Sequence, residues 1–212
     1  MFRQKAGLAV LMGASLMAQT VDFSPARRLS GTVPSPAPAN SIGWIAETLE
    51  LSIDRAGRVD GMKAIEGPDG PSLIAPALTD WTFRPALDAG SPVPTHVLVS
   101  AMFRPPALYN GPVAGGPTLT LGAPSNEVPA PSRTAAPGYP PRGVAEGVVV
   151  VELLVGPDGR VQSAMVTNGA PGFDEIALSA ARDWSFRAAQ REGRPVAAYA
   201  YLVFGFRRPT GP

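Results

Sequence analysis

The chain has 212 residues, 45% of them hydrophobic, and a formal net charge of +1. That is enough for one or two compact domains, and it supplies no global electrostatic pull toward nucleic acid or an anionic membrane. With no cysteine and a single histidine, disulfide frameworks and thiolate metal sites are excluded, and a site built on imidazoles is disfavoured.

Arg3 and Lys5 precede an uncharged stretch over residues 6–21 whose apolar heart is 6–18. Charge, apolar run and small-residue exit are the three parts of a secretory signal peptide, so residues 1–18 read as one, with cleavage after Ala18. The rival reading is a short uncleaved anchor, but the run falls short of the ~20 residues a spanning helix needs. Residues 19–43, with Pro25, Pro34, Pro36 and Pro38, read as a proline-rich tether without a core of its own. Residues 106–136 read as a second, Pro/Gly-rich linker, in which Thr118-Leu119-Thr120-Leu121 is the strand-like island.

The two remaining stretches, 44–105 and 137–208, repeat one another. Gly57-Arg58-Val59 matches Gly159-Arg160-Val161 at an offset of 102. Trp81, Phe83, Arg84, Gly90, Pro92 and Val93 match Trp184, Phe186, Arg187, Gly193, Pro195 and Val196 at an offset of 103. Chance similarity does not hold that register across several elements.

In the second repeat, Val149, Val151, Leu153 and Val155 share one strand face and Val150, Glu152 and Leu154 the other; in the first, Leu49, Leu51 and Ile53 oppose Glu50 and Ser52, so that Glu50 aligns with Glu152. Pro157-Asp158-Gly159 and Asp54-Arg55-Ala56-Gly57 supply hairpin turns. Phe173, Ile176, Ala177, Ala180 and Trp184 form one helical stripe, with Asp174 and Glu175 in the first turn, where the helix dipole favours acid. The first repeat offers Leu73, Ile74, Ala77 and Trp81 but inserts Pro76, which predicts a short or kinked helix. The closing strand places Ala198, Ala200, Leu202, Phe204 and Phe206 on one face and Tyr199, Tyr201, Val203, Gly205 and Arg207 on the other; Val97, Val99, Ala101 and Phe103 repeat the inward set. The expected fold class is α+β: two tandem β-β-α-β domains, each a three-stranded antiparallel sheet with one helix packed on one face.

Tyr139-Pro140-Pro141, Gly147 with its valine run, Pro157-Asp158-Gly159-Arg160-Val161, Phe173-Asp174, Trp184-Ser185-Phe186-Arg187 and Gly193-Arg194-Pro195-Val196 together resemble the C-terminal domain of TonB-type energy transducers. The resemblance spans about 137–208, and 44–105 resembles the same domain more faintly. It implies a periplasmic, non-enzymatic module that recognises a short extended segment of an outer-membrane transporter, without a cofactor. The duplication, the short N-terminal segment without histidine, and a tether lacking Lys-Pro and Glu-Pro runs depart from an energy transducer.

No catalytic or metal constellation stands out. His96 reads as a solvated outer-face residue, Trp81 and Trp184 as core anchors, and the Asp158-Gly159 step as a turn rather than a calcium loop. Arg84 and Arg187 read as charges bridging the helix exit to the sheet, with contact to a partner carboxylate as the functional alternative. The candidate binding site is the edge of the closing strand, where Tyr199, Tyr201, Val203 and Arg207 would flank an added peptide strand; Tyr139 and Arg187 are secondary candidates. The competing account of that tyrosine face is packing against the other repeat. Three readings follow: a periplasmic or secreted protein binding an envelope or transporter segment by strand addition; a transducer anchored in the inner membrane; and a structural envelope protein whose repeats pair with each other. No nucleic-acid partner is expected, and homodimerisation stays open beside repeat–repeat packing.

Overall fold

The computed structural model describes residues 22–36, 43–104, 123–140 and 145–208; the signal-peptide stretch and the 118–121 island lie outside them. The first half contains β1 (Phe23–Ser24), β2 (Arg27–Ser30), β3 (Ile45–Ile53), β4 (Val59–Glu66), α1 (Ala75–Leu78), β5 (Thr82–Arg84), β6 (Ala86–Asp88), β7 (Ser91–Val93) and β8 (Thr95–Phe103). The second contains β9 (Ala130–Arg133), β10 (Gly147–Val155), β11 (Val161–Asn168), α2 (Asp174–Arg182), β12 (Ser185–Arg187), β13 (Ala189–Arg191), β14 (Arg194–Val196) and β15 (Ala198–Phe206).

The protein is mixed α+β, mostly strand with two helices, but the long strands do not form two separate sheets as the sequence suggested. They make one six-stranded sheet in the order β11-β10-β15-β8-β3-β4. Within each half the long strands pair antiparallel, and the halves join where β8 and β15 lie side by side in parallel. The two halves share an order of strands and helix, but they lie in one sheet rather than in two independent ones.

The register of that seam explains how both halves find a core. Leu202 lies beside Ser100, whereas its repeat counterpart is Val99. Strand side chains alternate with a period of two, so a one-residue difference puts equivalent residues on opposite faces. Accordingly Val97, Val99, Ala101 and Phe103 join Leu49, Leu51, Leu78, Trp81 and Phe83 in one core. Leu202, Phe204 and Phe206 join Val151, Leu153, Phe173, Ala177 and Trp184 in a second core on the other face. The two helices flank the sheet from opposite sides.

Local chemistry accounts for the elements. The stripe Phe173, Ala177, Ala180 and Trp184 is buried beneath α2, and Asp174 accepts the Ala170 N–H (2.8 Å), which fixes the loop entering the helix. Proline in its first turn leaves α1 only four residues long, as Pro76 predicts. Ala89-Gly90 and Glu192-Gly193 all have positive φ, the conformation of a tight I′ hairpin, and they close β6–β7 and β13–β14. Both outer strands carry register shifts at matching repeat positions: Thr48/Leu49 and Ser52/Ile53 in the first half, Val150/Val151 and Leu154/Val155 in the second.

The described parts of the supposed tether and linker, residues 22–36 and 123–136, belong to the fold. β2 pairs with β5 and β9 with β12; Ala26, Val128 and Ala130 are buried. Trp81 Nε1 donates to the Thr32 carbonyl (2.7 Å) and Trp184 Nε1 to the Ala135 carbonyl (2.8 Å). Each indole thus finds its polar partner in a strand arm that precedes its own repeat, so the structural repeat is longer than the matching sequence motifs.

Gly57 and Gly159 recur because backbone passes against them. Phe83 N–H donates to the Gly57 carbonyl (2.8 Å) and Phe186 N–H to that of Gly159 (3.0 Å). A Cβ on Gly159 would stand 2.0 Å from the Phe186 carbonyl oxygen, whereas one on Gly193 meets nothing within 4 Å; both have positive φ. Gly193→Ala is expected to lower the unfolding free energy by about 1–2 kcal/mol, the left-handed backbone penalty alone. Gly159→Ala is expected to lower it by more than about 3 kcal/mol, since backbone must also move. Urea midpoints of the two variants decide it; equal losses would show that the close approach contributes nothing.

Candidate peptide-binding edges of the sheet

The closing strand is not an edge. β15 pairs with β10 along its whole length, Gly147 opposite Phe206 through Val155 opposite Ala198, and with β8 from Ala200 to Gly205. The seat expected for a guest strand beside Tyr199, Tyr201 and Val203 is filled by the protein's own β8. The reason is visible in the burial: Tyr201 and Val203 are fully buried in the first half's core, and Tyr199 packs against its margin. The aromatic face that looked adhesive in sequence is the contact between repeats.

The other candidates do not converge on it. Arg207 follows β15 and pairs with Glu146 (3.0 Å). Tyr139 is buried in the second core, against Phe173 (5.5 Å between ring centroids) and beneath the Arg104 guanidinium (5.3 Å), and its hydroxyl donates to the Ala145 carbonyl. Arg187 is exposed, its guanidinium donating to Asn126 Oδ1 (2.6 Å) in the second arm. It holds the arm rather than bridging the helix exit. His96 is half-buried, not fully solvated, with Nδ1 3.2 Å from Glu50 Oε1. Among the described residues no three metal-ligating side chains converge.

Two acids carry the connection between halves. Glu152, on β10 and only 4% exposed, receives the Arg27 guanidinium through Nε and Nη2 (both 2.9 Å) from the first half's arm. Tyr201 also donates its hydroxyl hydrogen to Glu152 (3.1 Å) while accepting the Arg28 N–H (2.6 Å). Glu50, on β3 and 3% exposed, accepts the Ser125 N–H (2.9 Å) from the second half's arm. Each half's buried glutamate therefore fastens the arm of the other half. The bond to Glu152 raises the Arg27 pKa, and burial drives the Tyr201 phenol far above its ordinary range, so it stays a donor. Arg28, whose guanidinium lies 4.1 Å from the Trp81 ring centroid, is shifted downward by burial. Sequence alignment found the matched glutamates but not their partners; an acid repeated in an otherwise apolar strand was the available signal.

Among the described residues, the outer strands of the six-stranded sheet, β4 and β11, are each bonded on one side, as are the short strands at the margins of the smaller sheets. Over β4, Lys63 Nζ donates to the Ala123 carbonyl (2.9 Å), tying the segment before the second arm across that end of the sheet. On β11, Met165 is 46% exposed. Ala164 and Val166 are half-buried against the second core on the α2 face, together with Leu178.

Two outcomes test the arm contacts. Tyr201→Phe keeps the ring but leaves the Arg28 N–H and Glu152 Oε2 without this partner, so it is expected to cost about 1–3 kcal/mol in urea unfolding, and Tyr199→Phe far less. At the first arm, Asp80 accepts the Thr32 N–H (2.8 Å) and the Thr32 hydroxyl, and these bonds lower its pKa. A carboxylate depressed in the folded state contributes stability above its unfolded value, near ~4, and loses it as pH falls through the folded value. Amide-exchange protection over 27–32 is therefore expected to hold at neutral pH and fall below about pH 4, with the fall blunted in Asp80→Asn.

No curated protein matches the chain. Residues 136–207, a segment containing β10 to β15 and α2, match the family described as Gram-negative bacterial TonB protein C-terminal.

Proposed function

We propose that this protein is a non-catalytic cell-envelope binding protein, in which the TonB C-terminal domain and a diverged first copy of it act as one rigid sheet. Its ligand is an extended peptide segment of an envelope or outer-membrane transport protein, bound by strand addition at an outer edge. The observation that carries this reading is that, among the described residues, β11, inside the family-matched segment, has a strand partner on one side only. An edge strand presents unpaired N–H and C=O groups that an extended guest can satisfy, with main-chain bonds supplying affinity and alternate side chains selectivity. The family supports the envelope setting and the kind of partner. No helix among the described residues is long and apolar enough to cross a membrane.

The β8–β15 seam favours a second reading, a structural envelope protein whose repeats are sufficient partners for each other. The anchored energy transducer is the third, and a mature N-terminus beginning near Gln19 would dispose of it.

Titration of the isotope-labelled chain with N-terminal peptides of outer-membrane transporters separates the first two. Strand addition is expected to shift amides of an outer strand and leave those of β8 and β15 in place. If no outer-strand amide moves at millimolar peptide, the structural reading replaces it.

A further inference from the structure

The two outer edges are equivalent by topology but opposite in chemistry. In the antiparallel pairs, Lys63 stands opposite Glu50 as Met165 stands opposite Glu152, and Glu66 opposite Thr48 as Asn168 opposite Val150. Asp60 and Gln162 occupy the matching bulges. Every charged position of β4 (Asp60, Lys63, Glu66) is thus neutral in β11 (Gln162, Met165, Asn168). Charges, lysine above all, are how sheet edges refuse an incoming strand, because a neighbour would have to desolvate them. β4 has that protection, and its lysine also holds the Ala123 segment. β11 has neither charge nor proline along its eight residues.

The geometry points to β11 as the single acceptor edge, taking an uncharged extended segment of about four residues from an envelope transport protein. This rests on the strand-addition reading above and names its seat and ligand chemistry. The length follows from the bulges: Ser163–Val166 pairs with Val151–Leu154 without a shift, and the register breaks at both ends, where a bulge turns the edge away. The side-chain preference follows from the two faces. On the α2 side the guest meets half-buried Ala164, Val166 and Leu178, which suit a small or β-branched apolar residue at alternate positions. On the other side it meets Ser163 and the exposed thioether of Met165, an adaptable surface that accepts hydroxyl or aliphatic side chains, while the Arg27–Glu152 pair across from Met165 is already matched in charge. One guest binds per chain, since the equivalent edge is guarded.

The test uses the full isotope-labelled chain and a capped hexapeptide alternating valine with threonine, beside the same peptide with lysine replacing valine. Amide shifts confined to Ser163–Val166 and the adjoining turn of α2 are expected, with at least tenfold weaker binding of the lysine peptide. Met165→Lys is expected to weaken the valine peptide at least tenfold; Met165 is half-exposed, so unchanged shifts elsewhere confirm that the fold survives. Shifts at Val59–Glu66, alone or equally, overturn the choice of edge but leave strand addition standing. Binding of transporter peptides without the valine peptide overturns the ligand chemistry alone. Silence of both strands with every peptide removes the underlying reading as well. Concentration-dependent β11 shifts without peptide give the edge to a second copy of the chain and overturn the proposal.

Discussion

The parallel pairing of β8 with β15 is the constraint from which the rest of the molecule follows. A half on its own would have a helix and a tryptophan on one face of three strands and nothing on the other. In the second half that other face is Val148, Val150, Tyr201 and Val203, all buried, and stripping it would leave a domain near the lower size limit with half its apolar surface wet. Joining at the closing strands extends each sheet under the other half's cover. The one-residue register, Leu202 beside Ser100, is what makes this work, because only opposite-facing halves can cover each other's backs. An in-phase seam would put both helices on one side and leave the whole opposite face bare.

The buried glutamates fix that arrangement rather than strengthen it. A carboxylate removed from water is costly unless ionic or hydrogen-bonded partners replace the solvent, and a buried pair adds little net stability over an apolar substitute. What Glu50 and Glu152 add is discrimination. Glu152 is satisfied only when Arg27 and Tyr201 reach it, and Glu50 meets the Ser125 N–H in the corresponding place. A slip of either arm, or a seam displaced by two residues, would leave a charge stranded among valines. The arms are held in turn by Trp81 and Trp184, whose indole N–H groups bond the Thr32 and Ala135 carbonyls. Sheet, arm and helix exit are thereby tied at one point in each half.

Much of this was legible in the chain. Alternation in β3, β8, β10 and β15 identified the inward residues, Pro76 foretold a short helix, and Gly57 and Gly159 marked matching hairpin turns, though not the backbone that passes against them. The arms were not legible, because Pro25, Pro34 and Pro36 give the composition of an extended tether. A two-residue or four-residue strand docked on an edge needs no periodicity of its own; its partner strand supplies the order. The seam was hidden for a different reason. Alternation says which residues share a face but not whether the strand's flank is occupied, and Tyr201 looks the same whether it awaits a ligand or fills a neighbour's core. The sequence did carry the repeat offset that, set against the pairing register, decides the faces, but the pairing itself is a tertiary fact.

Closing the seam also changes what kind of binding protein the fold can be. A free closing strand would lie at the middle of the joined sheet, so a guest there would have to displace β8 and open both cores at once. A guest strand added under the proposed reading would therefore have to use an outer strand of this sheet, away from the seam. There the two halves differ in charge. Lys63 is engaged with the Ala123 segment and flanked by Asp60 and Glu66, while Met165 occupies its equivalent with no charge on the same strand. The two outer strands hold equivalent places in the sheet but differ in charge. Charge at one edge and none at the other makes the two ends of a topologically paired sheet chemically unlike, so that, of these two edges, an added strand would meet the lower desolvation cost at β11.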